Sequence, residues 1–192
     1  MTHPSPTDLL VLHAVRLTGF ADSPTVAARF DLDPDQTHED LLDAQAYGWV
    51  GRSSFAGQAG WSLTTAGRRR NEAQLRAELD RVRAHGTVAD AHELFLTLNG
   101  RATRVFTAWQ LRPGEATGTL RQLAGLADEL RDLERHLAAC LARFGGYHDR
   151  FTRALTRAGD DPAWITGVQV DSCHHVWFEL HEDLIATLGI TR

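Results

Sequence analysis

Apolar residues recur at helical spacing over most of the chain, and one short stretch breaks that rhythm. Residues 7–19 (TDLLVLHAVRLTG) carry Leu9, Leu10, Leu12, Ala14, Val15 and Leu17, which predicts a mostly buried helix. Thr7 or Asp8 is expected to cap it and Gly19 to end it. Ser23-Pro24-Thr25 reads as a serine cap with proline at the first helical position, opening a short helix over 25–30 with Val26, Ala27 and Phe30 inward. Asp31-Leu32-Asp33-Pro34 is a second turn and cap. The next helix is predicted over 34–47, with Leu41, Leu42 and Ala44 to Ala46 on its apolar side, until Gly48 stops it. Residues 49–53 and 61–64 then read as two strands around a glycine-rich turn at 55–60. A helix over 65–84 follows, with Leu75, Leu79 and Val82 in one apolar line and Glu72, Arg76, Glu78 and Arg81 on a solvated face.

From about residue 85 the pattern is helical throughout. A helix over 89–111 carries Leu94, Phe95, Leu98, Ala102, Val105, Phe106 and Trp109, and Arg112-Pro113-Gly114 is expected to end it. A long helix over 119–144 carries Leu120, Leu123, Leu126, Leu130, Leu133, Leu137 and Leu141. This near-heptad stripe suits a dimer seam or an intramolecular bundle core equally. Gly145-Gly146 breaks it. A helix over 147–158, a short element over 164–170 and a last helix over 174–188 complete the chain. The predicted fold is mostly α. A first domain, 1–84, has three helices plus a two-stranded wing; an all-α domain, 85–192, follows.

Composition narrows the setting. All 20 basic residues are arginine, and the net charge is −5, so any attraction to nucleic acid must come from a local patch. No run of eighteen apolar residues exists, which excludes a membrane-spanning helix. Residues 1–8 lack the basic and apolar stretches of a signal peptide. Cys140 and Cys173 have no CxxC spacing, so free thiols in a reducing cytoplasm are expected.

The order helix, helix, helix, strand, turn, strand is that of a winged helix-turn-helix. The segment GWSLTTAGRRR resembles the wing strand and following helix of MarR-like transcriptional regulators, and LLDAQAYGWV resembles the end of their recognition helix. This resemblance covers residues 7 to 83. The closing stretch DSCHHVWFELHEDLIATLGITR is similar to the end of a group of actinobacterial regulators with a helical C-terminal domain. In that resemblance it packs beside the LNGRATRVFTAWQ helix. The resemblance implies transcription regulation by binding double-stranded DNA. Little chain precedes the first helix, where the MarR pattern has a dimer arm, so either a homodimer rests on the C-terminal domain or the protein is a monomer.

In a helix-turn-helix the second helix enters the major groove with its N-terminal residues at the base edges. Gln36, Thr37 and His38 are the candidate base contacts, because amide, hydroxyl and imidazole groups hydrogen-bond bases. Arg52, Thr64 or Thr65, Arg68, Arg69 and Arg70 are candidate phosphate contacts. Acidic residues oppose this reading. Residues 1–70 hold six arginines against eight acids, with Asp33, Asp35, Glu39 and Asp40 on or beside the recognition helix. Asp33 and Asp35 also suit the helix N-terminus electrostatically. A winged helix that docks a protein partner instead of DNA is the alternative.

The second domain carries candidate chemistry for a small-molecule effector. Trp109, Phe106, Tyr147, Trp164, Trp177 and Phe178 supply apolar walls; Asn99, Gln110, Arg104, Arg150, His174 and His181 supply polar anchors. Asn99, Trp109, Arg150, His174, Trp177 and His181 are the predicted effector contacts. The run from Cys173 to Asp183 also has His and carboxylate groups four apart, the spacing for a metal site that Cys173 could join or for plain surface pairs, and Cys173 beside His174 and His175 is a candidate thiol sensor. No Ser-His-Asp order, P-loop or GxGxxG stands out, so neither an enzyme nor a cofactor is expected.

Overall fold

The computed structural model describes residues 2–55, 57–111, 114 and 116–190. The expected helix end at Arg112-Pro113 and the Ala56 position of the glycine-rich turn lie outside them. Among the described residues the protein is mostly helical, with one two-stranded antiparallel sheet. No helix among the described residues is long and apolar enough to cross a membrane. The chain forms two compact units. One is Pro4–Arg83 with the described residues from Ala186 onward; the other is Ala84–Ile185 with the described residues up to His3.

The first unit runs α1 (Thr7–Thr18), α2 (Ser23–Ala28), α3 (Pro34–Ala46), β1 (Val50–Phe55), β2 (Gln58–Leu63) and α4 (Thr65–Val82). Gly19 ends α1 at φ 73°, a conformation that favours glycine. The expected side-chain cap on α1 is absent, and Pro6 holds the N-cap position instead. At α2 the cap moves one residue upstream from Ser23. The Asp22 carboxylate accepts from the Thr25 N–H at 2.9 Å, and Ser23 is left for other partners. Asp33 caps α3 as expected, accepting from the Gln36 N–H at 2.8 Å. The strands pair Val50 with Leu63 and Arg52 with Trp61. Ala21 bridges to Trp61 through two backbone hydrogen bonds, so the loop before α2 lies along β2.

The core of this unit gathers Val11, Leu12, Val15, Val26, Leu41, Val50 and Trp61. Leu9 and Leu75 join α1 to α4. Beside them the His13 Nδ1 meets the Asn71 Oδ1 at 3.3 Å, and Arg16 pairs with Glu72. Glu78, expected on the solvated face of α4, is buried at 3% exposure. It stands three residues after Leu75 and one before Leu79, so it falls on the edge of their apolar line.

The second unit holds α5 (His85–Leu111), α6 (Ala116–Ala138), a 3-10 turn (Ala142–Phe144), α7 (Tyr147–Arg157), α8 (Ala163–Thr166) and α9 (Cys173–Leu188), which begins in it. Arg83 at φ 54° ends α4, so His85-Gly86-Thr87 open α5 instead of separating two helices. Leu94 is exposed, not inward, because it is turned about 100° from its buried neighbour Phe95. Leu123, Leu126, Leu130, Leu133 and Leu137 are all at 1% exposure or less within the single chain. The stripe is therefore a core, and these leucines cannot form a dimer seam. α6 stops at Ala138, short of the expected Phe144. His3 exchanges two backbone hydrogen bonds with Cys140 and Ala142, and this pairing draws Leu141 into an extended conformation.

Candidate functional site

At the start of α3 the three expected base contacts face different ways. Gln36 is exposed, and its amide donates to the Asp40 carboxylate at 3.0 Å. Thr37 is 1% exposed and turns into the core, so it cannot reach a base. This follows from its position four residues before Leu41, on the same buried face. His38 is half-buried: its Nδ1 shares a hydrogen bond with the Ser23 hydroxyl at 2.9 Å, and its ring stands edge-on to Trp61. The Trp61 indole N–H donates to the same hydroxyl at 2.9 Å. Ser23, His38 and Trp61 thus join α2, α3 and β2 through one oxygen. Nothing in sequence spacing marks this group.

The phosphate candidates also divide. Arg70 lies over the Trp49 ring and pairs with Asp8 at 3.5 Å, so its charge is engaged within the chain. Arg52 is exposed, its guanidinium 5.4 Å from the Trp61 ring centre. Arg68 and Arg69 are exposed in the first turns of α4 and make no ion pair among the described residues. Thr65 is exposed beside them. Thr64 is structural: its hydroxyl donates to the Gly48 carbonyl and accepts from the Gly67 N–H at 3.0 Å.

In the second unit, α5 and α9 enclose a cavity of about 180 Å³. Asn99, Thr103, Phe106, Thr107 and Gln110 line it from α5; His174, Trp177, Phe178 and His181 line it from α9. Both sets recur every three or four residues, which brings each to one helix face. The Trp177 indole N–H donates to the Asn99 Oδ1 at 2.9 Å. Phe95 stacks on Trp177 and touches His181, which in turn stacks on His92. The His174 ring stands edge-on to Phe106. Burial, and then the neighbouring His175, push the His174 imidazole below its usual pKa, so the ring is neutral at neutral pH. Among the described residues, no Asp, Glu, Lys or Arg lines this cavity.

Of the predicted effector contacts, Asn99, His174, Trp177 and His181 come together here. Trp109 and Arg150 do not. Trp109 is buried in the core at 9% exposure. Arg150 is held by two carboxylates: it donates to both oxygens of Asp171 and both oxygens of Glu179, at 2.6 to 2.9 Å. Burial alone would lower its pKa, and the bonds to Glu179 and Asp171 outweigh that and raise it. It carries a fixed positive charge.

Asp171, His175 and Glu179 offer ligand atoms within 4.8 Å of one another, a spacing suited to a cation. The Arg150 guanidinium already supplies that cation, with four hydrogen bonds. Asp171, the residue that completes the group, lies outside the run from Cys173 to Asp183. Asp183, fully buried, pairs with the Arg143 guanidinium and accepts from the Tyr147 hydroxyl at 2.9 Å. Cys173 is fully buried, and burial pushes its thiol up to about 12, so it is neither a thiolate nucleophile nor a ready ligand at neutral pH.

Set against protein-family models, curated proteins and solved structures, the chain matches none of them.

Proposed function

We propose that this protein is a DNA-binding transcriptional regulator. Residues 7–83 act as a winged helix-turn-helix of the MarR-like kind, and the helical unit after them binds a small effector. The observation that carries this reading is the order α1-α2-α3-β1-β2-α4 in one compact unit, with Arg52, Arg68 and Arg69 exposed on and after its hairpin. Gln36 reads bases, Arg52, Arg68 and Arg69 hold phosphates, and Thr65 adds a hydroxyl. Asp33 accepts from the Gln36 N–H as the cap of α3, and Asp40 accepts from the Gln36 amide, so both carboxylates have partners within the helix. The effector is a small uncharged molecule with both donors and acceptors, because the α5/α9 cavity offers amide and hydroxyl groups and the neutral His174 imidazole, with no Asp, Glu, Lys or Arg among its described lining residues. A homodimer presents two α3 helices to successive half-sites.

A second reading has its own observation. Asp35, Glu39 and Asp43 are exposed along α3, with Leu42 and Tyr47 exposed at 37% and 70%. That acidic face with apolar residues suits a basic protein partner.

Fluorescence anisotropy with DNA from upstream of the protein's own coding sequence, at two salt concentrations, separates the two. The regulator reading expects binding that weakens steeply with salt and is lost in Arg68→Ala/Arg69→Ala. Absence of binding at low salt, with and without candidate uncharged effectors, sinks it in favour of a protein partner.

A further inference from the structure

The other side of α5 meets α6 across a concavity of about 430 Å³. Arg101 and Arg104, one turn apart on α5, and Arg121 from α6 line it with Gln122 and Gly125. No acid is among the described lining residues. Only Arg101 has an ion-pair partner, Glu129 at 2.6 Å; Arg104 and Arg121 are exposed and have none among the described residues. The arginines further along α6 differ: Arg131 pairs with Asp128, and Arg135 pairs with Asp132. The chain has more acids than bases, so a shortage of carboxylates does not explain a groove lined by three guanidinium groups with one counter-charge. Like charges gathered in this way repel one another unless an anion joins them.

Gly125 adds to this. It lies within α6, where glycine is a poor helix former, yet a Cβ there would meet nothing within 4 Å. Close packing therefore does not require the glycine. Its missing side chain leaves open the groove that the arginines border.

We propose that the α5/α6 groove is a binding site for a small molecule bearing a phosphate or diphosphate group, held by Arg101, Arg104 and Arg121. Planar guanidinium forks bond two oxygens at once, and a phosphate presents several oxygens to forks arriving from two helices. The site is distinct from the α5/α9 cavity and does not depend on the DNA-binding reading.

The test is calorimetric titration of the full chain, at low ionic strength, with pyrophosphate, inorganic phosphate and citrate in turn, and with a short DNA duplex as competitor. Pyrophosphate is expected to bind, and either Arg104→Gln or Arg121→Gln to weaken it at least about tenfold, the loss of a charge-assisted hydrogen bond. Gly125→Leu, checked for folding by circular dichroism, is expected to block it. Arg131→Gln removes the same charge elsewhere on α6 and is expected to leave binding within about twofold, as for a screened surface charge. No heat with pyrophosphate overturns the proposal, as does equal loss in Arg131→Gln. Binding of citrate but not pyrophosphate overturns the phosphate class. A DNA duplex that displaces pyrophosphate and needs the same two arginines reassigns the groove to a nucleic-acid backbone.

Discussion

The Trp49 carbonyl stands where a side chain at residue 67 would have to begin: a Cβ on Gly67 would lie 1.8 Å from that oxygen. The Thr64 hydroxyl bonds to the Gly48 carbonyl next to it, so the first turn of α4 is seated directly on the turn that leaves α3. Helix propensity alone would make Gly67→Ala stabilising by roughly 1 kcal/mol. The close approach reverses the sign, and we expect a loss of at least about 2 kcal/mol in urea unfolding, since the obstacle is backbone and cannot rotate away. A neutral or stabilised Gly67→Ala protein would show that α4 sits differently.

Ser23→Ala leaves the Trp61 indole N–H, 2% exposed as a residue, without its acceptor. An unpaired buried donor costs about 1–3 kcal/mol, and that loss is expected in chemical unfolding. The same change releases His38, whose solvent exchange by NMR should rise. Unchanged stability would mean that water replaces the hydroxyl.

Arg150→Met takes from the half-exposed Asp171 and the buried Glu179 the guanidinium that they share, leaving Glu179 with the more distant His175 at 3.8 Å. Removing one partner of such a group costs about 3–5 kcal/mol. Replacing Glu179 by Met as well should recover much of that loss, a coupling that a double-mutant cycle measures. Addition of divalent cations should leave the wild-type melting temperature unmoved, because the guanidinium already fills the role.

The pH dependence of stability has a definite sign for His174. Its folded pKa lies below the ordinary 6.5. Between those two values the unfolded chain binds a proton that the folded chain does not, so stability falls as pH drops below about 6.5 and levels once the folded form is protonated. His174→Gln should flatten that part of the profile. An unchanged slope would assign it to other histidines.

Cys173 predicts the opposite limb. Its folded thiol is held at about 12 against an ordinary value of 9.0, so this contribution is intact below about pH 9 and is lost as pH rises toward 12. At neutral pH the folded protein should take up iodoacetamide at Cys140, which is partly exposed, and at Cys173 only after unfolding. Mass spectrometry of the alkylated peptides reads this directly.

Much of the element pattern was legible because it is local. Asp33-Pro34 announces the start of α3, and the spacing of Leu123 to Leu137 announces α6. Asn99, His174, Trp177 and His181 could be gathered because each recurs on one face of its helix. The misreadings arise where partners are distant in sequence. Thr37 looks as suitable a base contact as Gln36 until Leu41 fixes which face is buried. Ser23 resembles a cap until Trp61, 38 residues later, claims its hydroxyl. Arg150 could not be matched to Asp171 and Glu179 because no periodicity links α7 to the loop before α9 or to α9 itself. The end of α6 was missed because His3, from the far end of the chain, supplies the backbone pairing there.

The Ser23 oxygen has a mechanical consequence. It is tied at once to β2 and to α3, and Ala21 holds the Trp61 backbone from the same side. The hairpin is therefore clamped at its root, and it cannot swing as a rigid lever against the helices without breaking all of these bonds together. The Arg52–Trp61 pair marks the inner limit of the part free of these ties, so a contact made at the outer end of the hairpin would be adjusted there before it reached α3.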